Sequence, residues 1–330
     1  MSERIAVLSS SYPRSPGDAA GHFVRSEVER LTRSGHDVHV FAPGSPLANV
    51  LDAGAHVHWL SDRGALGWPG ALPRLKDNPA RALGVGEFAL RAAWALRRLG
   101  PFTRVQAHFL VPCAWPILPL AFGEGTRAEL ELVGHGSDVR LFCRLPKQLR
   151  QRIARAWLAR RAQLRVTSQE LAELLGAANP ELARALRVEA SPIDVHGVPD
   201  RNAARQLLGL PSAAPVALIV ARLIPEKRVG LALQALTLLD ALHVVVVGDG
   251  PELDALSKRF PSVRFTGHVP RAEALAFIAA ADVLVSASRL EGAPTVVREA
   301  RQLGIPVVAV GAGDLAAWAE RDPGILLVRE

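Results

Sequence analysis

Cysteine is scarce in this chain of 330 residues, which contains only Cys113 and Cys143. Two isolated cysteines are too few for a zinc cluster or a disulfide framework, so we interpret both as buried thiols in a reducing compartment. The sequence opens Met1-Ser2-Glu3-Arg4 and runs straight into an apolar stretch, and we therefore expect no secretory signal. No uncharged apolar run reaches the length of a membrane span. From these absences we expect a cytoplasmic protein.

Acidic residues are outnumbered, with 32 Asp and Glu against 39 Lys and Arg, which gives a formal net charge of +7. This charge favours anionic partners such as nucleotides, phospholipid head groups or polyprenyl phosphates, without choosing between them. An arginine-rich composition that reflects a GC-rich genome explains the charge equally well. Hydrophobic and charged fractions of 49% and 22% are ordinary for a globular protein, and the length suggests about two domains.

The sequence also lacks internal repeats and low-complexity tracts, and short apolar runs recur between helix-like stretches instead. The runs are continuous rather than alternating, which is typical of strands buried on both faces of a parallel sheet. They fall into two sets of about six, at residues 5–8, 38–42, 57–60, 105–108, 130–133 and 164–167, and at 216–221, 243–247, 263–266, 282–287, 307–310 and 325–328. We therefore predict an α/β protein with two doubly wound domains, residues 1–190 and 201–330, joined by a linker at 191–200.

Two carboxylates flank a Gly-Ala-Pro turn in the segment from Glu291 to Glu299, directly after an apolar run. Pro294 suits the first turn of a helix, whose free amides would face an anion held above the strand ends. A phosphate near the turn of Gly292 and Ala293, with carboxylates accepting hydroxyl protons nearby, fits a nucleotide-sugar. Taken alone this pair is weak, because glutamates at such a spacing are common and usually solvated.

Cations and glycines lie at the ends of other predicted strands in the same half. Arg222 and Lys227 follow the run at 216–221. The planar guanidinium of the arginine and the compact charge of the lysine ammonium together suit the diphosphate of a sugar nucleotide. Gly248 and Gly250 follow the run at 243–247, where they would let the backbone approach a nucleoside, although a plain tight turn is a fair alternative. These are positions at which open parallel sheets bind ligands.

This ordered set of motifs resembles the retaining glycosyltransferases of family 4, which have the GT-B fold of two Rossmann-like domains facing a cleft. The match continues through Ser288 and 304–309, and in the first half through 4–8, 17–21, 34–38, 106–109 and 133–139, so it covers nearly the whole chain. Family members usually continue beyond the strand that matches 325–328, with helices that cross back onto the first domain. We expect these crossing helices to be absent from a sequence that stops at Glu330.

The resemblance implies roles for individual residues. Glu299 would accept the protons of the ribose hydroxyls, and Glu291 would hold hydroxyls of the donor sugar. His135, in a His-Gly-Ser-Asp turn after an apolar run, would lie beside the transferred sugar and support the transition state. A lone histidine is more often structural, but this turn is an unusual place for one.

Three residues of the first half keep two interpretations each. Gly21 either allows close approach of the donor phosphate or acceptor, or is an ordinary glycine at a helix start. Asp138 either binds hydroxyls of the acceptor or sugar, or caps the following helix. His108 either packs in the core or contacts the acceptor.

Residues 61–81 also have two interpretations. They form either an acceptor-side loop or irregular surface structure.

The sequence therefore predicts a hexosyl-type glycosyltransferase that moves a sugar from a nucleoside diphosphate to a glycan or lipid-linked acceptor with retention of configuration, as in polysaccharide biosynthesis. The sequence contains no Asp-x-Asp motif and no cluster of metal ligands, so we expect no cofactor or divalent ion to be required. We also expect no nucleic-acid partner. A sugar-nucleotide epimerase of the same fold and a non-catalytic nucleotide-sugar-binding protein are the alternatives.

The segment 144–165 carries eight basic residues and no acidic one, with an apolar residue at every fourth position from Leu145 to Trp157. This pattern predicts an amphipathic helix with one packed and one positive face. Such a helix could bring the protein to the anionic inner face of a membrane as a peripheral protein. A packing helix with a solvated arginine face is the alternative.

Overall fold

The computed structural model describes residues 2–14, 18, 21–45, 50–66 and 78–329. Residues 17, 19 and 20 of the motif at 17–21, and residues 67–77 of the predicted acceptor-side loop, lie outside this description. The chain divides into two compact units, Met1–Pro192 and Ile193–Glu330, which we call unit 1 and unit 2.

Unit 1 is built on a sheet of eight strands, of which seven run parallel. In chain order the strands are β1 (Arg4–Ser9), β2 (Asp37–Pro43), β3 (Val50–Asp52), β4 (Ala55–Leu60), β5 (Arg104–His108), β6 (Glu129–Gly134), β7 (Gln163–Val166) and β8 (Leu186–Val188). Their order across the sheet is β3-β4-β2-β1-β5-β6-β7-β8, and only β3 pairs antiparallel with its neighbour. The described helices of this unit are α1 (His22–Arg33), α2 (Ala82–Leu99), α3 (Leu118–Ala121), α4 (Ser137–Arg144), α5 (Lys147–Leu158) and α6 (Gln169–Ala178).

Unit 2 is built on a parallel sheet of six strands. These are β9 (Val216–Val220), β10 (His243–Val247), β11 (Arg264–Phe265), β12 (Val283–Ser286), β13 (Val307–Val310) and β14 (Ile325–Val328). The order across the sheet is β11-β10-β9-β12-β13-β14. Its helices are α7 (Arg201–Leu208), α8 (Val229–Leu236), α9 (Leu253–Arg259), α10 (Arg271–Ala280), α11 (Thr295–Gln302) and α12 (Leu315–Ala319).

The continuous apolar runs are explained by burial on both faces of each sheet. In β1, Ile5 and Val7 pack into one hydrophobic cluster with α1, while Ala6 and Leu8 pack into the cluster on the opposite face. In β9, Ala217 and Ile219 likewise lie in one cluster and Val216 and Leu218 in another. Since successive side chains of a strand point to opposite faces, both must be apolar when both faces are covered. The predicted α/β architecture with two Rossmann-like sheets is confirmed.

Two strands and one helix differ from the predictions. The strands β3 and β8 were not predicted, because each has three residues and little burial. The basic segment 144–165 is not one helix: α5 covers only Lys147–Leu158, and Arg165 is a buried residue of β7. No helix among the described residues is long and apolar enough to cross a membrane.

In both sheets the strand order reverses beside the first strand of the unit. In unit 2 the chain first moves outward from β9 through β10 and β11, and then returns to the other side of β9 with β12. In unit 1 the corresponding neighbours are β1 and β5, where Ser9 pairs with His108. The crevice beyond the carboxyl ends of two such strands is where open α/β sheets bind their ligands.

Candidate functional site

In unit 2, two loops meet at the reversal point, one after β9 and one after β12. The backbone N–H of Arg289 donates to the carbonyl of Glu226 at 3.0 Å, and the Arg228 Nε donates to the carbonyl of Ala287 at 2.8 Å. Arg228 adopts a left-handed backbone conformation with φ 47°, which turns the chain into α8. These contacts hold the two loops in a fixed relation.

The same two loops place Lys227 against Glu291. The Lys227 Nζ lies 2.5 Å from the Glu291 Oε1, and the side chains are 20% and 13% exposed. The cation predicted to bind phosphate and the carboxylate predicted to hold the sugar are therefore direct partners. Arg222 follows β9 on the first of these loops and is exposed.

The turn after Glu291 leads into the N-terminus of α11, as the sequence predicts. Pro294 is the residue before the first helical residue, and among the described residues no side chain caps the helix there. Gly292 and Ala293 form the turn, which is fixed because the Gly292 carbonyl accepts the N–H of Asp314 at 3.3 Å. The backbone amides of the first helical turn have no helical acceptor and can bind an anion.

Ser288 adds an unsatisfied group directly after β12. Its side chain is buried, with 2% of the residue exposed, and its Oγ has no hydrogen-bond partner among the described residues. Buried hydroxyls normally have a partner, so the Ser288 Oγ is able to accept one beside the strand end.

Glu299 lies on α11 and is 5% exposed. Its Oε1 accepts a hydrogen bond from the Nη1 of Arg271 at 2.7 Å. Because a buried polar group without a partner is costly, this contact stabilises Glu299 inside unit 2. Sequence reasoning did not find Arg271, since no motif marks it.

Positions 248 and 250 require glycine because the neighbouring backbone leaves no room for a side chain. A Cβ on Gly248 would lie 1.9 Å from the carbonyl oxygen of Ala221, and one on Gly250 would lie 2.4 Å from that of Leu223. Their φ angles of 138° and 156° are also rare for residues with a side chain. Of the two interpretations offered by the sequence, the tight turn accounts fully for both glycines.

In unit 1, His108 and His135 come together at the ends of β5 and β6. The His108 Nδ1 lies 3.0 Å from the His135 Nε2, and the two ring planes differ by only 12°. The His135 ring also packs against the rings of Phe23 and Phe109, with centroids 4.5 Å and 4.9 Å away. Phe109 has φ 76°, an uncommon conformation that occurs more often at functional sites. No sequence motif indicates the two phenylalanine contacts.

Burial keeps both histidines neutral. Burial, and then the charge of Arg165, lower the pKa of His108 to about 3. Burial, followed by His108 and Arg165, holds the pKa of His135 well below its ordinary value. Arg165 is itself buried and forms ion pairs with Glu27 at 3.4 Å and Glu131 at 3.2 Å. The histidine pair is therefore suited to hydrogen bonding rather than to accepting a proton near pH 7.

Asp138 and Gly21 both make close contacts with nearby backbone. The carboxylate of Asp138 accepts the backbone N–H groups of Leu110 at 2.7 Å and of His135 and Gly136 at 3.0 Å, and only 4% of the residue is exposed. It therefore fixes the turn that carries His135 rather than reaching for an acceptor. Gly21 is the N-cap of α1 with φ 71°, and a Cβ there would lie 2.1 Å from the Ser11 carbonyl oxygen.

The predicted residues thus form two groups, one in each unit. Unit 2 holds the two cations, the two glutamates and the uncapped helix start, while unit 1 holds the histidine pair and the turn fixed by Asp138. Across the described part of the chain, no group of three or more His, Cys, Asp or Glu could hold a metal ion.

Similar proteins identify the family of this chain. The family model for glycosyl transferases group 1 matches residues 200–318, the part of unit 2 that contains both glutamates. The 2-deoxystreptamine glucosyltransferase of Streptomyces kanamyceticus is 32% identical over 288 residues, which cover 74% of this chain and 70% of that protein. The chain belongs to the group 1 glycosyl transferases. A second relative of this group 1 glycosyltransferase is the GDP-mannose-dependent alpha-mannosyltransferase of Mycobacterium tuberculosis, 29% identical over 94% of this chain and 79% of that protein.

Solved structures show the fold of this glycosyltransferase to be GT-B. The sucrose-phosphate synthase of Thermosynechococcus elongatus superposes with a TM-score of 0.72 at 20% identity, covering 98% of this chain and 86% of that one. The glycosyltransferase WaaG of lipopolysaccharide biosynthesis superposes with a TM-score of 0.66 at 15% identity, covering 99% of this chain and 86% of that one.

Proposed function

We propose that this glycosyltransferase is a retaining enzyme of family 4 that transfers a hexose-type sugar from a nucleoside diphosphate to a glycan or lipid-linked acceptor. The observation that carries the proposal is the pairing of Lys227 with Glu291 beside the uncapped start of α11, at the reversal point of the unit 2 sheet. A diphosphate needs cations and amides, whereas a sugar needs a carboxylate, and the two requirements meet here.

In this proposal the leaving diphosphate lies against Arg222, Lys227 and the amides that follow Pro294. Departure of the diphosphate builds negative charge, which two fixed cations and a helix start stabilise without reorganisation. Glu291 accepts hydroxyl protons of the donor sugar, and Glu299 accepts those of the ribose. Because the cations already supply the positive charge, we propose that no divalent ion is required, and activity should be equal in Mg²⁺ and in EDTA.

The histidine pair supplies a hydrogen-bond donor to the sugar. The His108 Nε2 is buried and has no partner among the described residues. An orphaned N–H is rarer in proteins than an orphaned lone pair, so His108 carries its proton on Nδ1 and donates it to the His135 Nε2. His135 is then protonated on Nδ1, and this N–H is available to a sugar hydroxyl.

The weakness of these histidines as bases supports the proposal of retention. An inverting transferase needs a general base whose pKa lies near the working pH. The pKa of His108 is about 3 and that of His135 is strongly lowered, so neither fits that requirement. Reaction on one face of the sugar, with the leaving phosphate assisting the acceptor hydroxyl, requires no such base.

The test is a donor panel followed by proton NMR. Relatives supply two starting donors, since one mycobacterial relative is named for GDP-mannose and HepE of Anabaena was solved with UDP-glucose. Product analysis separates transfer from donor hydrolysis and from epimerisation. We expect the first glycoside formed to keep the anomeric configuration of the donor, and an inverted product would refute the mechanism.

We also propose that the protein is cytoplasmic and that a lipid-linked acceptor brings it to an anionic membrane. Five of the eight cations at 144–165 remain available for this, namely the exposed Arg144, Lys147, Arg152, Arg155 and Arg161. Arg150 is used instead to hold the carbonyls of Cys143 and Leu145, and Arg160 to hold that of Phe122.

A neighbouring helix offers apolar contacts for the same membrane. Leu83, Leu90 and Trp94 of α2 are 70%, 66% and 60% exposed, and their spacing puts them on one helix face. The Arg98 guanidinium lies over the Trp94 ring at 4.9 Å. Arg97 of α2 donates to the carbonyl of Ala121 in α3, and Arg160, just after α5, donates to that of Phe122, just after α3. Apolar side chains flanked by arginines are typical of surfaces that bind anionic membranes.

Vesicle sedimentation tests this contact. Wild type should bind vesicles that contain phosphatidylglycerol, bind neutral vesicles weakly, and lose binding as salt rises. Leu90→Ser/Trp94→Ser and Arg152→Glu/Arg155→Glu should each weaken binding, whereas Leu239→Ser, at a 60% exposed position in unit 2, should not. Sedimentation that is indifferent to lipid charge, salt and both double substitutions would refute membrane contact.

A further inference from the structure

The ribose-binding role proposed for Glu299 requires its carboxylate to hold one orientation, and Arg271 is placed to provide it. Arg271 is the first residue of α10, and its side chain is 26% exposed, against 7% for Glu299. Its Nη1 donates to the Glu299 Oε1 at 2.7 Å. The guanidinium is thus the more exposed member of the pair, and the carboxylate is almost completely buried.

The second nitrogen of the same guanidinium has a different partner. The Arg271 Nη2 donates to the backbone carbonyl of Asp194 at 3.1 Å. Asp194 is the second residue of unit 2, in the segment that enters this unit from unit 1. Because the guanidinium is a planar fork with a fixed angle between its nitrogens, two simultaneous contacts determine its position. Arg271 therefore joins three points of unit 2: the start of α10, Glu299 on α11, and the entering segment.

We propose that Arg271 is a positioning residue that orients the Glu299 carboxylate for the ribose of the donor and sets the preference of the site for ribose over deoxyribose. The proposal rests on the ribose-binding role proposed for Glu299. Arg271 acts through that carboxylate and through the backbone of Asp194, without needing to touch the nucleotide.

The ion pair leaves Glu299 able to bind a ligand. An ionised carboxylate has two oxygens with about four lone-pair sites. The contact with Arg271 uses one site on Oε1, so acceptor capacity for two ribose hydroxyls remains. A lysine at position 271 would keep the charge, but it could not reproduce the two-pronged contact with Glu299 and Asp194.

The experiment compares each nucleoside diphosphate with its 2′-deoxy form by calorimetry. UDP, GDP and ADP are titrated first, and the tightest binder is then paired with dUDP, dGDP or dADP. We expect wild type to prefer the ribose form by about tenfold or more, the range for a hydrogen bond to a charged group. Glu299→Gln should remove most of this preference. Arg271→Gln and Arg271→Lys should each reduce it several-fold.

A double substitution and a matched control complete the design. If Arg271 acts through Glu299, Arg271→Gln should cause no further loss of preference when Glu299→Gln is already present. Arg321→Gln, at an exposed position of unit 2, should retain the wild-type preference. Thermal unfolding checks that each variant is folded, and Arg271→Lys keeps a cation beside the buried carboxylate if Arg271→Gln does not fold.

The failures of the two proposals are distinguishable. If Glu299→Gln keeps the wild-type preference for ribose, the role of Glu299 is wrong, and the inference about Arg271 falls with it. If Glu299→Gln loses the preference while both Arg271 variants keep it, Glu299 binds ribose and Arg271 is only structural. If Arg271→Gln binds the ribose form more tightly than wild type, the arginine competes with ribose, and the positioning role is overturned.

Discussion

Replacing Lys227 by alanine perturbs two interactions at once. In the ligand-free protein it removes the ion pair between Lys227 and Glu291, whose side chain is 13% exposed. In the complex it removes a cation from the proposed diphosphate site. The variant therefore separates the structural contribution of the ion pair from its contribution to binding, provided that stability and affinity are both measured.

The two magnitudes refer to different free energies. Losing a hydrogen bond between charged groups costs about 1.5–3 kcal/mol of unfolding free energy. Losing a charge-assisted contact to the diphosphate costs about 1.5–3 kcal/mol of binding free energy, which is a loss of affinity of roughly 10- to 150-fold. Glu291→Gln, by contrast, should leave nucleoside diphosphate affinity unchanged or slightly higher, because it releases Lys227 from its ion pair.

Calorimetry with the tightest of UDP, GDP and ADP gives the affinities, and urea unfolding gives the stabilities. Lys258→Ala is the matched control, since Lys258 is an exposed lysine of α9 in the same unit. If Lys227→Ala binds the nucleotide as tightly as wild type, the diphosphate does not lie against this lysine and the site has been wrongly placed.

The remaining predictions concern the glutamates, a glycine and pH. Glu299→Gln should weaken nucleotide affinity, while Glu291→Gln should lower turnover more than affinity. If kinetics show the reverse pattern, the two roles are exchanged. Gly248→Ala should lower the unfolding free energy by clearly more than Gly267→Ala, where a Cβ meets nothing within 4 Å, and equal urea midpoints would contradict the steric argument. Four histidines of unit 1 have lowered pKa values, namely His39, His58, His108 and His135, and the pKa of His58 is about 4. The unfolded chain therefore binds more protons than the folded chain below pH 6.5. Stability should therefore be complete above about pH 6.5 and fall toward pH 4, by about 1.4 kcal/mol per pH unit for each histidine at most. Urea unfolding between pH 7.5 and 5 measures how the unfolding free energy changes with pH. This dependence should be weaker in His58→Gln, and its absence in wild type would show that the histidines do not contribute.

The strands of unit 2 could be predicted because they carry a clear signal. Residues of β9 such as Leu218 and Ile219 are apolar in succession, which only burial on two faces explains. The strands β3 and β8 carry no such signal, because they lie at the two edges of the unit 1 sheet and expose much of their length. Short edge strands are formed by the pairing partner more than by their own residues.

Sequence motifs mark the residues proposed for the site, but they do not show how those residues pair. Glu291 and Lys227 were both predicted as ligand-binding groups, yet 64 residues separate them, and only the folded loops show that they contact each other. No local motif distinguishes Arg271 from other residues at helix starts. Its contact with Glu299 results from the packing of α10 against α11. Side-chain contacts between distant segments depend on tertiary packing, which local patterns do not contain.

A crystal structure with the tightest-binding nucleoside diphosphate tests the central claim most directly. The account predicts phosphate oxygens within hydrogen-bond distance of the Lys227 Nζ and of the first amides of α11, and ribose hydroxyls on the Glu299 carboxylate. A nucleotide bound away from the ends of β9 and β12, or one whose phosphates leave the ion pair of Lys227 and Glu291 untouched, would contradict it.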